Sequence, residues 1–267
     1  MKTVYILKSF IIKDFKLDIR YPFFFLFKFF EIFIFVTIAY YSSKLIIKVP
    51  ENGIDYDYFA YLLIGISFFS IFRTGLYTYT EELTRYIQTG NFEYLISLPL
   101  NEEWIVIFSG LWKQIIGTIR VFFYFMIGIV FYKAQVNSFN LFGLCFVYLI
   151  SLICFSGLGL FSASLLIYFK RAEPINWMIS QFCLITGGVL FPVTLLPDVF
   201  QKIGLLNPVT YSLNLFRQLM LNNTSIKIPN YELLCFCIIS ILIFITGIFC
   251  IRYSIKKGKE SGLLAFY

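Results

Sequence analysis

The chain contains no histidine. That absence removes imidazole general bases, Ser-His-Asp and Cys-His pairs, and the commonest metal-ligating side chain. Charge is scarce as well. Asp, Glu, Lys and Arg make up 14% of the 267 residues, where soluble domains carry about a quarter. The six cysteines (Cys145, Cys154, Cys183, Cys235, Cys237, Cys250) all fall in apolar stretches, with no CxxC pair among them. Small buried hydrophobes are expected there, not a disulfide framework or a zinc site. No G-x4-GK-[ST] phosphate loop occurs, so the chain does not bind ATP in that way.

What fills the chain instead is apolar. Hydrophobic residues account for 59% and mean hydropathy is +0.81. The composition predicts one all-α integral membrane domain, with no room for a large soluble one. Phe (34) and Tyr (19) are abundant, which suits lipid-facing helices and interfacial aromatic belts. The net charge of +7 is not gathered into a basic patch. Its cations sit at segment ends and in short loops, so nucleic acid is not an expected partner.

Six stretches approach the roughly 20 apolar residues that a spanning helix needs. They are Tyr21–Ser42, Tyr58–Tyr79, Trp104–Phe131, Phe139–Phe169, Ile175–Leu195 and Leu233–Tyr253. Residues 1–20 come before them. There Lys2, Lys8, Lys13, Lys16 and Arg20 alternate with Phe10, Ile11, Phe15 and Leu17, the pattern of a helix lying in the membrane interface over anionic lipid. With the N-terminus inside, cytoplasmic segments hold twelve Lys and Arg and external segments six. The positive-inside rule then places both termini in the cytoplasm.

Two connecting segments are unlike ordinary loops. Residues 81–103 lie on the cytoplasmic side, yet hold five acidic residues against one Arg, counter to the positive-inside rule. The segment begins with Glu81, Glu82 and Arg85 and breaks at Gly90-Asn91. It resumes with Phe92, Glu93, Tyr94 and Leu95 and stops at Pro99. That order predicts a short amphipathic helix between turns, offering charge and aromatics to a partner. Residues 191–223 lie outside. Pro192, Pro197 and Pro208 forbid one unbroken helix, and apolar spacing after Pro197 and Pro208 predicts two short helices that dip back without crossing. Irregular backbone at membrane depth needs protein or a cavity around it.

Inside the spans stand Lys28 and Glu31 in the first, Arg73 in the second, and Lys113 and Arg120 in the third. Lys28 and Glu31 are three apart, which predicts a local ion pair. The third span is long enough to bring Lys113 to the cytoplasmic interface. Arg73 and Arg120 either pair with acids on other helices, or snorkel, or face a wet cavity, and in the last case they are the cations expected to line a path for an anionic head group.

The two connecting segments carry a resemblance. Gly90, Phe92, Glu93, Leu95 and Pro99 in one match the permease subunits of the ABC-2 family of ATP-driven exporters. In the other, Phe191, Pro192, Leu196, Pro197, Asn207, Pro208, Tyr211 and Arg217 spell FP-x3-LP…NP-x2-Y-x5-R before the last span. The hydropathy layout extends the likeness over nearly the whole chain. The resemblance implies six transmembrane helices, an N-terminal interfacial helix, a cytoplasmic coupling helix and short re-entrant external helices before the last span. It further implies a non-catalytic permease, with ATP and Mg held by a separate ATPase subunit and no cofactor on this chain. Glu81, Glu82, Arg85, Gly90, Phe92, Glu93 and Leu95 would couple to that ATPase. Phe191, Pro192, Pro197, Asn207, Pro208, Tyr211 and Arg217 would form an external re-entrant gate.

A second permease copy is the implied neighbour, in the cytoplasmic membrane of a prokaryote, and the expected cargo is an amphiphile such as a drug, lipid or lipid-linked glycan. An ATP-independent secondary transporter is the alternative. That class shows interrupted spans in both halves of the chain, whereas here only the fifth-to-sixth connection is interrupted. A membrane-embedded enzyme fits less well, since its chemistry usually needs His or clustered acids near a lipid face.

Overall fold

The computed structural model describes residues 2–20, 22–45, 48–51, 54–96, 101–134, 141–169, 172–221 and 231–260. Pro99, Lys170, Arg171 and the side chain of Glu93 lie outside the described residues. Apart from one small hairpin, the regular structure is helical: α1 (Lys2–Ile19), α2 (Pro22–Ser43), α3 (Tyr58–Gln88), α4 (Phe92–Ile96), α5 (Glu102–Val130), α6 (Leu141–Phe169), α7 (Glu173–Thr186), α8 (Asp198–Gly204), α9 (Pro208–Leu221) and α10 (Tyr231–Glu260). The hairpin, β1 (Lys48–Glu51) and β2 (Ile54–Asp57), is antiparallel, pairs Lys48 with Asp57, and joins α2 to α3. No sequence pattern had predicted it.

Four helices, α3, α5, α6 and α10, are long and apolar enough to cross a membrane. At 29 to 31 residues they measure about 44–46 Å, well beyond a hydrocarbon core of about 30 Å. Helix α2 has 22 residues, about 33 Å. Helix α7 has only 14, about 21 Å, and falls short. The expected fifth stretch, Ile175–Leu195, is therefore not one continuous helix. It stops at Thr186 because Gly187 caps it and Gly188, at φ +71, turns the chain in a region L-residues avoid. The two glycines, not Pro192, end the helix. A second boundary also moves. Helix α3 runs on to Gln88, so Glu81, Glu82 and Arg85 belong to its last turns and not to a separate connector.

Helix α3 is the centre of the bundle, with Tyr61, Phe68, Phe72 and Tyr79 wholly enclosed. Its N-terminus is capped by Asp57, whose carboxylate accepts the Phe59 N–H at 3.2 Å, satisfying one orphan donor. Small residues set the crossings. A Cβ on Gly159 would strike the Gly75 carbonyl, and one on Gly157 would strike the backbone of Phe244 in α10. Close approach through small residues is how helices associate where lipid removes the hydrophobic drive.

The bundle has two distinguishable ends. Phe10 of α1, Leu83 of α3, Phe92 of α4, Ile105 of α5, and Ile251 and Ile255 of α10 share one apolar cluster, so the first and last helices meet at the same end. At the other end Tyr40, Phe59 and Tyr132 pack ring against ring beside the hairpin. The bend after α7 lies there too, because Tyr58 donates to the Leu190 carbonyl at 3.1 Å.

Candidate functional site

At the α1 end the charged side chains join three helices. Glu82 is 2% exposed and accepts from Lys113 at 3.1 Å and from Arg85. Lys113 also reaches Glu81 at 2.7 Å. Arg85 also reaches Asp14 of α1 at 3.3 Å, and Asp14 itself takes Lys13 at 3.3 Å. Lys13 donates to the Tyr86 hydroxyl at 2.6 Å. Three cations thus face three acids across α1, α3 and α5. One level over, Trp112 donates to Asp18 at 2.7 Å and meets Phe15 edge-on at 5.3 Å. Lys259 near the end of α10 pairs with Glu102 at the start of α5.

Glu81, Glu82 and Arg85 are therefore committed inside the chain, which the sequence reading did not foresee. Burial explains it. A carboxylate enclosed like Glu82 needs cationic partners to remain ionised, and Lys113 and Arg85 supply them. Asp14 and Lys113 are the members that sequence missed as a set.

Beyond Gln88 the chain reverses. Gly90 adopts φ +69, the Gly90 N–H returns to Ile87 at 3.0 Å and the Asn91 N–H to Tyr86 at 3.0 Å, the paired bonds of a Schellman stop. This turn aims α4 back under the bundle. Phe92 is 5% exposed, seated among Tyr86, Ile105 and Ile255. The expectation that Phe92 faces a partner is corrected: its ring is buried and anchors α4 to the chain's own core. Leu95 packs beside it, and Tyr94, 69% exposed, is the aromatic ring that faces outward.

At the hairpin end the residues of the NP-x2-Y-x5-R motif come together. Asn207 caps α9 by accepting the Val209 N–H at 3.0 Å, and its amide donates to the Thr186 hydroxyl at 3.1 Å. Pro208 follows at the first helical position, where its missing N–H costs nothing. Arg217, 4% exposed, donates to the carbonyls of Gly188 at 2.9 Å, Val189 at 3.3 Å and Tyr61 at 3.3 Å. Its guanidinium lies 3.4 Å from the centre of the Tyr61 ring, and the Tyr61 hydroxyl donates to Gly188 at 3.0 Å. A single cation thereby ties α9 to the end of α7 and to α3. Pro192 opens a 3₁₀ turn at Val193–Leu195 and Pro197 opens α8. The amide of Gln201 donates back to Leu196 at 2.7 Å. Phe191 and Tyr211 are half-buried. Tyr61, Gly188 and Thr186 are site members that sequence spacing did not reveal.

Helix α7 is held at its other end as well. Asn176, fully buried, accepts from Ser162 of α6 and donates to Thr80 of α3 at 3.0 Å. Of the cations inside the spans, Lys113 belongs to the first of these knots, while Arg73 and Arg120 stand apart from them. Arg73 is exposed, 5.7 Å from the Tyr77 ring, and Arg120 is half-buried. The local Lys28–Glu31 pair does not form: Glu31 is exposed and makes no ion pair among the described residues, while Lys28 and Arg120 line one cleft.

A short helix anchored beneath long apolar helices at the α1 end, and a broken segment held by one buried arginine at the other, belong to a multi-pass membrane protein. The family model described as ABC-2 type transporter matches residues 6–221, and the chain belongs to that family. A comparison with curated proteins finds no match. Permeases of this family are the non-catalytic membrane components of transporters and typically work beside an ABC ATPase.

Proposed function

We propose that this permease is the membrane half of an ATP-driven exporter of amphiphiles, a drug, a lipid or a lipid-linked glycan, and that a separate ATPase docks at the α1 end. The observation that carries the reading is α4. It is a five-residue helix, too short to be stable alone, yet held in place by Phe92 and by the ends of α3, α5 and α10. A rigid protrusion that meets three helices at once transmits a push to all of them.

In this reading α2, α3, α5, α6, α7 and α10 are the six spans, with α7 completing its passage through the broken segment. Both termini are cytoplasmic, in the inner membrane of a prokaryote. Glu81, Glu82, Arg85, Gly90, Phe92 and Leu95 set the position of the coupling helix, while Tyr94 and Glu93 touch the ATPase. Phe191, Pro192, Pro197, Asn207, Pro208, Tyr211 and Arg217 form the external gate. Arg73 and Arg120 face the translocation path. A second permease copy closes that path at a dimer interface, as closed symmetry favours.

The test is co-purification with the partner ATPase, followed by ATP hydrolysis and export in vesicles. Glu93→Lys with Tyr94→Ala is expected to abolish co-elution and leave the permease monodisperse. Transport that proceeds without an ATPase and follows an ion gradient would overturn the reading.

A further inference from the structure

Where α3, α5 and α6 cross, a small polar group sits inside the bundle, one helical turn deeper than buried Glu82. Tyr79 is 2% exposed, and Gln114 and Ser156 are 8% exposed each. Glycines on both neighbouring helices clamp the Tyr79 ring. A Cβ on Gly110 would stand 2.5 Å from its Cε1 atom, and one on Gly159 would stand 2.9 Å from its Cδ2 atom. The ring has no room to tilt, so its hydroxyl is delivered to one place, beside Ser156 and Gln114.

Gln114 is the member whose bonding does not close. Its Nε2 donates to the Ser156 hydroxyl at 3.4 Å, a long bond. Its buried Oε1 has no partner among the described residues. Turning the amide over only exchanges the two atoms: one then rests on Ser156 and the other is left alone. A buried amide atom without a partner is costly. The neighbouring side chains are engaged elsewhere. Thr118 donates to the Gln114 backbone carbonyl at 2.9 Å, and Tyr148 donates to Thr118 at 2.8 Å. Lys113, next in the chain, is bound to Glu81 and Glu82. Two hydroxyls and an amide, uncharged and enclosed, suit one small ligand that both donates and accepts.

We propose that a structural water occupies this crossing, bonded to the Tyr79 hydroxyl, the free amide atom of Gln114 and the Ser156 hydroxyl. Three polar partners are the usual complement of a buried water. The water ties α3, α5 and α6 together at a level where Gly110 and Gly159 have removed the side chains that would otherwise interlock. It is an integral part of the bundle and not an extension of bulk solvent, since Gln114 stands 12 residues beyond Glu102, about 18 Å along α5.

The test is X-ray hydroxyl-radical footprinting of the full chain in detergent micelles, read residue by residue by peptide mass spectrometry. It needs no ATPase, so its result is independent of the transport reading. Radiolysis of a bound water oxidises the side chain beside it, even where radicals from bulk solvent do not enter. Tyr79 is expected to be oxidised, whereas Phe72, seven residues earlier on α3 and wholly enclosed in an apolar cluster, stays unmodified. Gln114→Leu keeps most of the side-chain volume and withdraws the amide, so Tyr79 oxidation should fall to the level of Phe72. Ser156→Ala, a smaller change, should lower it as well, and it decides the matter if Gln114→Leu does not fold. An unmodified Tyr79 in the unaltered chain would overturn the site, as would oxidation that neither substitution reduces. Equal oxidation of Tyr79 and Phe72 would show the bundle opening to solvent and overturn it too.

Discussion

Arg217→Met removes a buried cation while keeping most of the side-chain volume, and the structure allows its cost to be worked out. The guanidinium serves three carbonyls. Gly188 retains the Tyr61 hydroxyl, and the Tyr61 carbonyl lies within α3, where the helix ladder serves it. The Val189 carbonyl, buried in the bend, has no other bond partner among the described residues. One orphaned buried carbonyl costs about 1–3 kcal/mol. Losing the ring contact with Tyr61 adds about 1–2 kcal/mol for a desolvated cation–π pair. Relief from desolvating the cation offsets part of this, leaving about 2–3 kcal/mol. The assay is reversible unfolding in mixed micelles with increasing SDS, read by tryptophan fluorescence. Arg217→Lys, a point charge that cannot fork across separated carbonyls, should recover less than half of the loss. Tyr61→Phe should cost about 1 kcal/mol, less than additively with Arg217→Met because the two groups share Gly188. A stability change below about 0.5 kcal/mol for Arg217→Met, or full recovery by Lys, would refute the carbonyl-capping argument.

Phe92→Ala should destabilise by about 3 kcal/mol and expose the Gln88–Asn91 turn to protease, whereas Tyr94→Ala should leave both unchanged; equal behaviour of the two would deny the anchoring role of Phe92. Gly159→Ala should cost about 1–3 kcal/mol by forcing α3 and α6 apart, measured in the same SDS titration, with no loss expected at exposed Gly90 except through its positive φ. Glu82→Gln and Lys113→Gln should each destabilise. Their coupling in a double-mutant cycle should be about 1 kcal/mol, held down by the partial exposure of Lys113, and a coupling near zero would remove Glu82 from the network.

Much of the architecture was legible because membranes impose a simple rule on sequence. Long apolar runs gave α3, α5, α6 and α10, and proline positions gave α8 and α9, since a ring without an N–H forces a helix to begin or end. What was not legible depended on partners distant in the chain. Asp14 reads as a stray acid in a basic helix until Arg85, 71 residues away, is seen beside it. The Gly187-Gly188 stop was hidden because its neighbours continue the apolar pattern on both sides. Phe92 was read as outward-facing because an aromatic beside charges looks the same in sequence whether it anchors or advertises. Only the turn geometry at Gly90 decides which face of α4 is turned in.

The acidic character of residues 81–103 also has a physical origin in these contacts. Positive-inside asymmetry concerns charges that stay at the membrane surface during insertion. Here Glu81 and Glu82 neutralise Lys113, a cation on a span, and Glu102 neutralises Lys259 near the end of α10. Three of the five acids in this stretch are thus counter-charges of neighbouring helices. They tie α3 to α5 and α5 to α10, and Arg85 carries α3 on to Asp14 of α1.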